Sequence, residues 1–409
     1  MTAAQRVIPL LTTLALLIFC TLMALYPAET WHASVRGLAI WWDVLFPSLF
    51  PFLVLSELLL GFGIVHFLGT LLNPLMRPLF RVPGSGGFVF AVSCASGYPT
   101  GAKLTAQLWE QKLVTREEGE RLVAFTTSSD PIFMIGAVSV GFFHDTSIAP
   151  ILVASHYAAA VLVGMLMRFH GRSDASTATP PAAQEEHRSR FMRAIYAMHE
   201  ARQADGRTLG ELLRHAVSSS LRLIIIVGGL VVFFSVIMEL MVQTGWLGVL
   251  YNLTEQGLHL AALPPSLSHS LVGGLFEVTL GAKEAGAVSV PLVFKVAAAS
   301  FVLSWGGLSV HAQIMSVLSS TPMRYGPFLL ARAIHAAIAP LLVVLLWPLL
   351  MSSMASPTFV NDAFIPPSAY SPEWKRIGIT GISVFSSVLF LMVCLAWIGS
   401  KLMIKRGKK

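Results

Sequence analysis

Ser96-Gly97-Tyr98-Pro99-Thr100-Gly101-Ala102-Lys103 cannot form the interior of a smooth helix. Its proline removes a backbone donor and crowds the preceding turn, and its glycines favour a change of direction. It sits in a Gly- and Ser-rich stretch, 85–110, that reads as a re-entrant hairpin entering and leaving a membrane on one side. Gly101-Ala102-Lys103 recurs as Gly281-Ala282-Lys283, inside a second stretch of the same kind, 266–287.

The repetition extends outward from the hairpins. Leu55–Gly63 resembles Ile237–Gly245, each with a Glu inside an apolar helix and a Gly six residues later. Val82-Pro83-Gly84-Ser85 matches Leu263-Pro264-Pro265-Ser266, and Phe125-Thr126-Thr127-Ser128 matches Phe301-Val302-Leu303-Ser304. Four matches in one order, separated by 182, 181, 180 and 176 positions, define an internal repeat.

Composition places the repeat in a membrane. The 409 residues are 55% hydrophobic and 12% charged, about half the charge fraction of a soluble domain. Eight spanning helices are expected: Val7–Tyr26, Val44–Phe62, Leu122–Phe143, Ile148–Met167, Leu223–Val242, Val288–Val317, Phe328–Leu350 and Ile377–Leu402. The stretches 64–81 and 246–262 read as interfacial helices. An odd number of crossings per repeat inverts the second copy. The expected fold is therefore an all-α polytopic membrane protein with about eight transmembrane helices and two re-entrant hairpins in two inverted repeats.

The expected organisation has five parts. Residues 1–43 hold the first helix and an external loop, and 44–170 the first repeat. A basic cytoplasmic linker spans 171–214, with a mobile Ser173–Gln184 portion, and 215–351 hold the second repeat. Residues 352–409 hold an external loop, the last helix and the Lys405-Arg406-Gly407-Lys408-Lys409 tail.

Charge tests the orientation. With a cytoplasmic N-terminus, 21 of the 28 Lys and Arg fall inside, three outside (Arg36, Lys375, Arg376) and four within the membrane. The positive-inside rule selects N- and C-termini in the cytoplasm of a cell-membrane protein. The net charge of +7 follows topology and forms no nucleic-acid face. Cys20, Cys94 and Cys394 lie in apolar segments without metal or disulfide spacing. The first helix lacks a small-residue cleavage site and reads as uncleaved. No phosphate loop, nucleophile elbow, metal cluster or redox motif appears, so the chain reads as neither an enzyme nor a primary pump, with no cofactor beyond a coupling Na⁺ or proton.

Irregular backbone at membrane depth survives only when buried in protein or lining a wet cavity. Thr126-Thr127-Ser128-Ser129-Asp130-Pro131 and Ser304-Trp305-Gly306-Gly307 break helices at corresponding places, as in transporter sites near the bilayer midplane. Free N–H groups at half-helix N-termini favour anions. The candidate substrate residues are Ser96, Gly97, Tyr98, Thr100 and Lys103 of the first hairpin, and Ser128, Ser129 and Asp130 of the first break. The second half offers Glu277, Thr279 and Lys283 in its hairpin, and Ser304, Trp305, Ser309, His311 and Gln313 at its break. With two lysines and several hydroxyls, the set suits a small anion; Asp130 and Glu277 would pair with the lysines or hold the coupling ion.

Blander readings stand beside these. Lys103 and Lys283 would snorkel to the interface. Glu57 and Glu239 would be structural or coupling residues, capping the neighbouring hairpin. His156 and His335 would pack. Small residues would allow close helix approach.

Ser96–Lys103, Glu117–Leu122, Ser128–Val138, Gly273-Gly274-Leu275-Phe276-Glu277-Val278-Thr279 and Ser304–Gln313 resemble the YlbJ (SpoVV) family of sporulation integral membrane proteins, from about Val44 to Leu350. That family carries the nucleoside-recognition (Gate) domain and is similar in architecture to concentrative nucleoside transporters. The Asn-Glu-Phe-Val-Ala motif of those transporters is absent. The resemblance implies a secondary transporter moving dipicolinic acid, a small planar dicarboxylate, from the mother cell across the outer forespore membrane, as a homo-oligomer such as a trimer. The competing expectations are a non-transporting factor for spore cortex assembly and a nucleoside-type solute transporter.

Overall fold

The structure, a computed structural model, describes residues 3–171 and 190–351. The expected last span Ile377–Leu402, the loop and tail around it, and Ser173–Gln184 lie outside the described residues. The regular structure of those described is all helical, with no strand among them.

α1 (Ala3–Leu25) and α2 (Pro27–Ala39) meet at a sharp bend, 101° between Thr13–Leu25 and Pro27–Leu45. The region expected as an external loop up to residue 43 is therefore helix. Its cues are local: Pro27 opens the helix where no N–H is needed, Glu29 lies at its positive end and Arg36 at its negative end. Ala33 and Gly37 are buried where α2 packs against α10 (Leu209–Gln243). A π-helical turn, Ile40–Leu45, carries the chain into α3 (Phe46–Gly61). There the Trp41 indole N–H donates to the Ile224 carbonyl of α10 at 2.8 Å.

One succession of elements then occurs twice. α4 (Ile64–Leu75) precedes α5 (Ser85–Ser96) and α6 (Tyr98–Glu110), which pack on each other through a single joining residue. α7 (Arg116–Thr126) breaks before the π-helical segment Phe133–Phe142, and α8 (Ala149–Met167) follows. After α9 (Arg190–Asp205) and α10 come α11 (Trp246–Leu260) and the paired α12 (Ser268–Phe276) and α13 (Val278–Ala287). α14 (Leu292–Trp305) breaks into α15 (Gly307–Leu318), and α16 (Tyr325–Leu350) follows. Capping boxes start two of these helices, Thr115 with Glu118 and Thr208 with Glu211.

Among the described residues, four stretches are long and apolar enough to cross a membrane: Thr146–Met167, Leu209–Gln243, Leu292–Leu318 and Tyr325–Leu350. The bent α1–α2 pair makes a fifth if it crosses as one. Leu49–Leu59 and Phe133–Phe142 are apolar but shorter. α16 packs against both α8 and α14. α10, with α2 and α3, forms a flank whose Ile225, Ile226 and Phe233 are exposed, as a lipid-facing surface requires. α9 falls in the expected linker, yet it packs on α4 with Ala194 buried and Phe191 edge-on to Phe67.

Glu120 ties the two halves together outside the spans. Its carboxylate is fully buried and accepts from Arg324 Nε and Nη2, each at 2.9 Å. The Arg324 backbone N–H at 2.9 Å and His170 Nε2 at 2.6 Å complete the set. Burial opposes the charge, but the hydrogen bonds from Arg324 and His170 outweigh it and hold the carboxyl at about 2. This contribution to stability is complete above the ordinary carboxylate range and is lost as pH falls from about 4.5 toward 2. Acid titration of the melting temperature in detergent should show a loss in that window. Glu120→Gln should lower the melting temperature at neutral pH and flatten that step.

Candidate functional site

Each hairpin tip touches the break that follows it: a glycine tip meets a carboxylate in the first half, and a glycine of the break meets the backbone of a carboxylate-bearing tip in the second. In the first half the tip is Gly97, at φ 79°. A side chain there would be strained, and its Cβ would lie 3.0 Å from Asp130 Oδ2. Asp130 Oδ1 accepts the Phe133 N–H at 2.8 Å, capping the outgoing half-helix. In the second half the roles are exchanged. The tip is Glu277, which caps α13 by accepting Thr279 N–H at 2.6 Å and Leu280 N–H at 2.9 Å. Facing it is Gly307, at φ 71°, where a Cβ would lie 2.9 Å from the Phe276 carbonyl oxygen.

Four half-helices therefore begin at these junctions. The two with carboxylate caps, α13 and Phe133–Phe142, pack together. The two without side-chain caps, α6 at Gly97 and α15 at Gly306, also pack together. The uncapped pair has no side-chain acceptor at its N-termini, where a helix carries positive partial charge.

Between the breaks lies Arg332 of α16, with no exposed surface. Its Nη2 donates to the Ala124 carbonyl at 2.7 Å, near the end of α7. Its Nη1 donates to the Ser304 carbonyl at 3.3 Å, near the end of α14. The guanidinium thus bridges the negative C-terminal ends of two half-helices. Among the described residues no carboxylate forms an ion pair with it, and its Nε has no hydrogen-bond partner.

Two buried histidines stand beside it. His156 Nε2 accepts the Ser129 N–H at 3.1 Å, so Nδ1 carries the proton and faces the Ser304 hydroxyl at 3.2 Å. His335 Nε2 donates to the His156 carbonyl at 3.0 Å, and its Nδ1 has no partner. The rings lie 4.7 Å apart. The hydroxyls of Thr127 and Ser128 are buried and unpartnered as well.

The remaining contacts brace the breaks. The Tyr98 hydroxyl donates to the Leu303 carbonyl at 2.8 Å, tying the first tip to the second break. Tyr157 donates to the Ser129 carbonyl at 2.9 Å. Trp305 Nε1 donates to the Leu275 carbonyl at 3.3 Å. His311 donates from Nε2 to the Trp305 carbonyl at 3.2 Å, and its Nδ1 accepts from the Tyr325 hydroxyl at 2.6 Å.

The structure thus brings together Gly97, Tyr98, Ser128, Ser129, Asp130, Glu277, Thr279, Ser304, Trp305 and His311. Ser309 is buried on α15, and Ser96, Thr100 and Gln313 are half-buried. Lys103 and Lys283 are exposed on outer faces of α6 and α13. Glu57 and Glu239 bind other helices than the expected hairpins. The Ser219 hydroxyl donates to Glu57 at 2.9 Å, and Arg36 pairs with Glu239 at 2.6 Å. That last pair is largely solvent-facing, so Arg36→Ala should change stability by no more than about 1 kcal/mol in a detergent melt. Sequence reasoning overlooked Arg332 and treated the two histidines as packing. The available signal was that Arg332 is an ionisable residue in the middle of an apolar span.

The Gate family model, described as nucleoside recognition, matches residues 43–192. The sporulation integral membrane protein YlbJ of Bacillus subtilis is 43% identical over 338 residues, covering 81% of each chain. An uncharacterized protein of Alkalihalophilus pseudofirmus is 33% identical over 96 residues, 22% of this chain and 20% of its own. No solved structure matches. Alignment over four fifths of both chains at that identity places this integral membrane protein in the YlbJ family of sporulation integral membrane proteins.

Proposed function

We propose that the chain is a secondary transporter of a small anionic solute, with its site between the two breaks and the first hairpin tip. One observation carries this reading. The two helices without side-chain N-caps, α6 and α15, pack together, and the buried residues at and between the breaks leave donors unpartnered at Arg332 Nε, Thr127 and Ser128. Buried donors without acceptors call for an anion, and uncapped helix N-termini favour one. In this reading the two successions of hairpin, broken helix and long helix are inverted repeats within eight spans, with both termini cytoplasmic. Alternating access moves the hairpin-bearing bundle against the flank formed by α2, α3 and α10. The solute is dipicolinate, as the family resemblance implies, and the membrane is the outer forespore membrane. Assembly into a homo-oligomer belongs to the same reading.

The test is dipicolinate flux in proteoliposomes. Ser128→Ala and Thr127→Val remove hydroxyls that have no partner to lose, so both proteins should melt no lower than the native one. Each should nevertheless reduce flux about tenfold, the worth of one hydrogen bond to a charged group. Lys103→Ala and Lys283→Ala should leave flux unchanged. Absence of flux above empty liposomes would sink the reading and favour a structural part in cortex assembly.

A further inference from the structure

The anion site, on which this inference rests, carries an unpaired acceptor as well as unpaired donors. His335 is fully buried on α16, one turn after Arg332. Positions i and i+3 of a helix share a face, about 5–6 Å apart at Cβ. Arg332 Nε is a donor without an acceptor, and His335 Nδ1 is an acceptor without a donor. The tautomer follows from geometry. Nε2 faces a carbonyl oxygen, which can only accept, so the ring proton is on Nε2 and Nδ1 keeps its lone pair.

A fully ionised dicarboxylate satisfies half of this pair. One carboxylate accepts from Arg332 Nε, while a second beside His335 sets a lone pair against a lone pair. A proton placed between them removes the conflict: Nδ1–H then donates to the carboxylate oxygen. The protein's own groups do not supply that proton. The charged and titratable groups acting on His335 are Arg332 on its own helix and His156 on α8. α7 and α14, which also pack on α16, bring the Ala124 and Ser304 carbonyls. His156 already uses both ring nitrogens. Without an anion, a proton on His335 would add a second positive charge beside the guanidinium; with an anion, that charge is compensated.

We propose that His335 is the proton-binding residue of the site, so that a dicarboxylate and one proton taken from solution bind, and move, together. The proton comes from a solvent or buffer acid and forms an N–H bond at Nδ1, no other covalent bond changes, and the imidazolium gives that proton back to solvent when the anion leaves.

The experiment is calorimetric titration of the full chain in detergent with pyridine-2,6-dicarboxylate at pH 7.5, in buffers of low and high ionisation enthalpy. The ligand is fully ionised there, so any proton taken up belongs to the protein. About one proton per anion is expected. His335→Gln keeps a donor for the His156 carbonyl and removes the basic nitrogen. It should bind about tenfold more weakly and take up none. Binding by the native chain without proton uptake overturns this inference and leaves the anion site standing. Uptake that persists in His335→Gln overturns the assignment to His335. No binding at all overturns the anion site, and this inference with it.

Discussion

Arg332→Ala should unfold more of the protein than any other single replacement of a polar side chain at the site. The guanidinium donates to Ala124 at 2.7 Å and to Ser304 at 3.3 Å, closing the carbonyl ends of α7 and α14 together. A hydrogen bond to a charged group contributes about 1.5–3 kcal/mol, and the carbonyls left behind have no water to turn to. The expected loss is about 3 kcal/mol or more, with the shorter bond the larger share. Arg332→Lys keeps the charge and one bond, and should fall between native and alanine forms. Thermal melting in detergent, followed by monodisperse size-exclusion fraction, reads the order. If alanine and lysine variants melt together at the native temperature, Arg332 does not hold the breaks. This fold role also explains why transport is tested on Ser128 and Thr127, whose removal costs no existing bond.

The second large effect is expected at Gly307. Alanine there meets two penalties. A left-handed backbone costs an L-residue about 1–2 kcal/mol. The added Cβ would also sit 2.9 Å from the Phe276 carbonyl oxygen and 3.0 Å from Glu277 Cα. Those are backbone atoms of the neighbouring hairpin tip and cannot swing aside, so overpacking adds about 1–3 kcal/mol. Gly306 is the control. Its φ of 87° carries the same dihedral penalty, but the nearest atoms to an added Cβ are Val310 side-chain carbons from 3.3 Å. Melting should therefore rank native above Gly306→Ala above Gly307→Ala. The reverse order would mean that contact between tip and break does not limit stability.

Much of this arrangement was legible in the chain. The Gly-Tyr-Pro-Thr-Gly run at 97–101 and the serine-rich breaks stop helices for local reasons, and the helices α5 and α6 together occupy the Gly- and Ser-rich stretch from Ser85 to Glu110. Asp130 three residues before Phe133 carries the signature of a helix cap. The α2 helix was missed because Trp, Arg and Glu between two apolar stretches look like a loop. In the fold its buried stripe is only Ala33 and Gly37, set against α10.

Local chemistry determined that this chain enters a membrane, where its helices break, and which glycines and carboxylates stand at the breaks. Those outcomes depend on hydropathy, on φ, and on the i to i+3 reach of a side chain, all of which are written within a few residues. Which cation stands at the centre was decided by tertiary structure alone. Lys103 and Lys283 sit beside the motif but leave the site, because each lies two residues, about half a turn of helix, past a buried glycine, Gly101 or Gly281, and so on the outer face. Arg332 lies more than two hundred residues from Ala124 and reaches it because α16 packs against both α7 and α14. The pairing of His335 with His156, and the packing of the two capped half-helices on each other and of the two uncapped ones on each other, likewise exist only once the halves are packed. Partners so distant leave no mark in local periodicity, since what selects them is the need to satisfy backbone carbonyls where water is excluded.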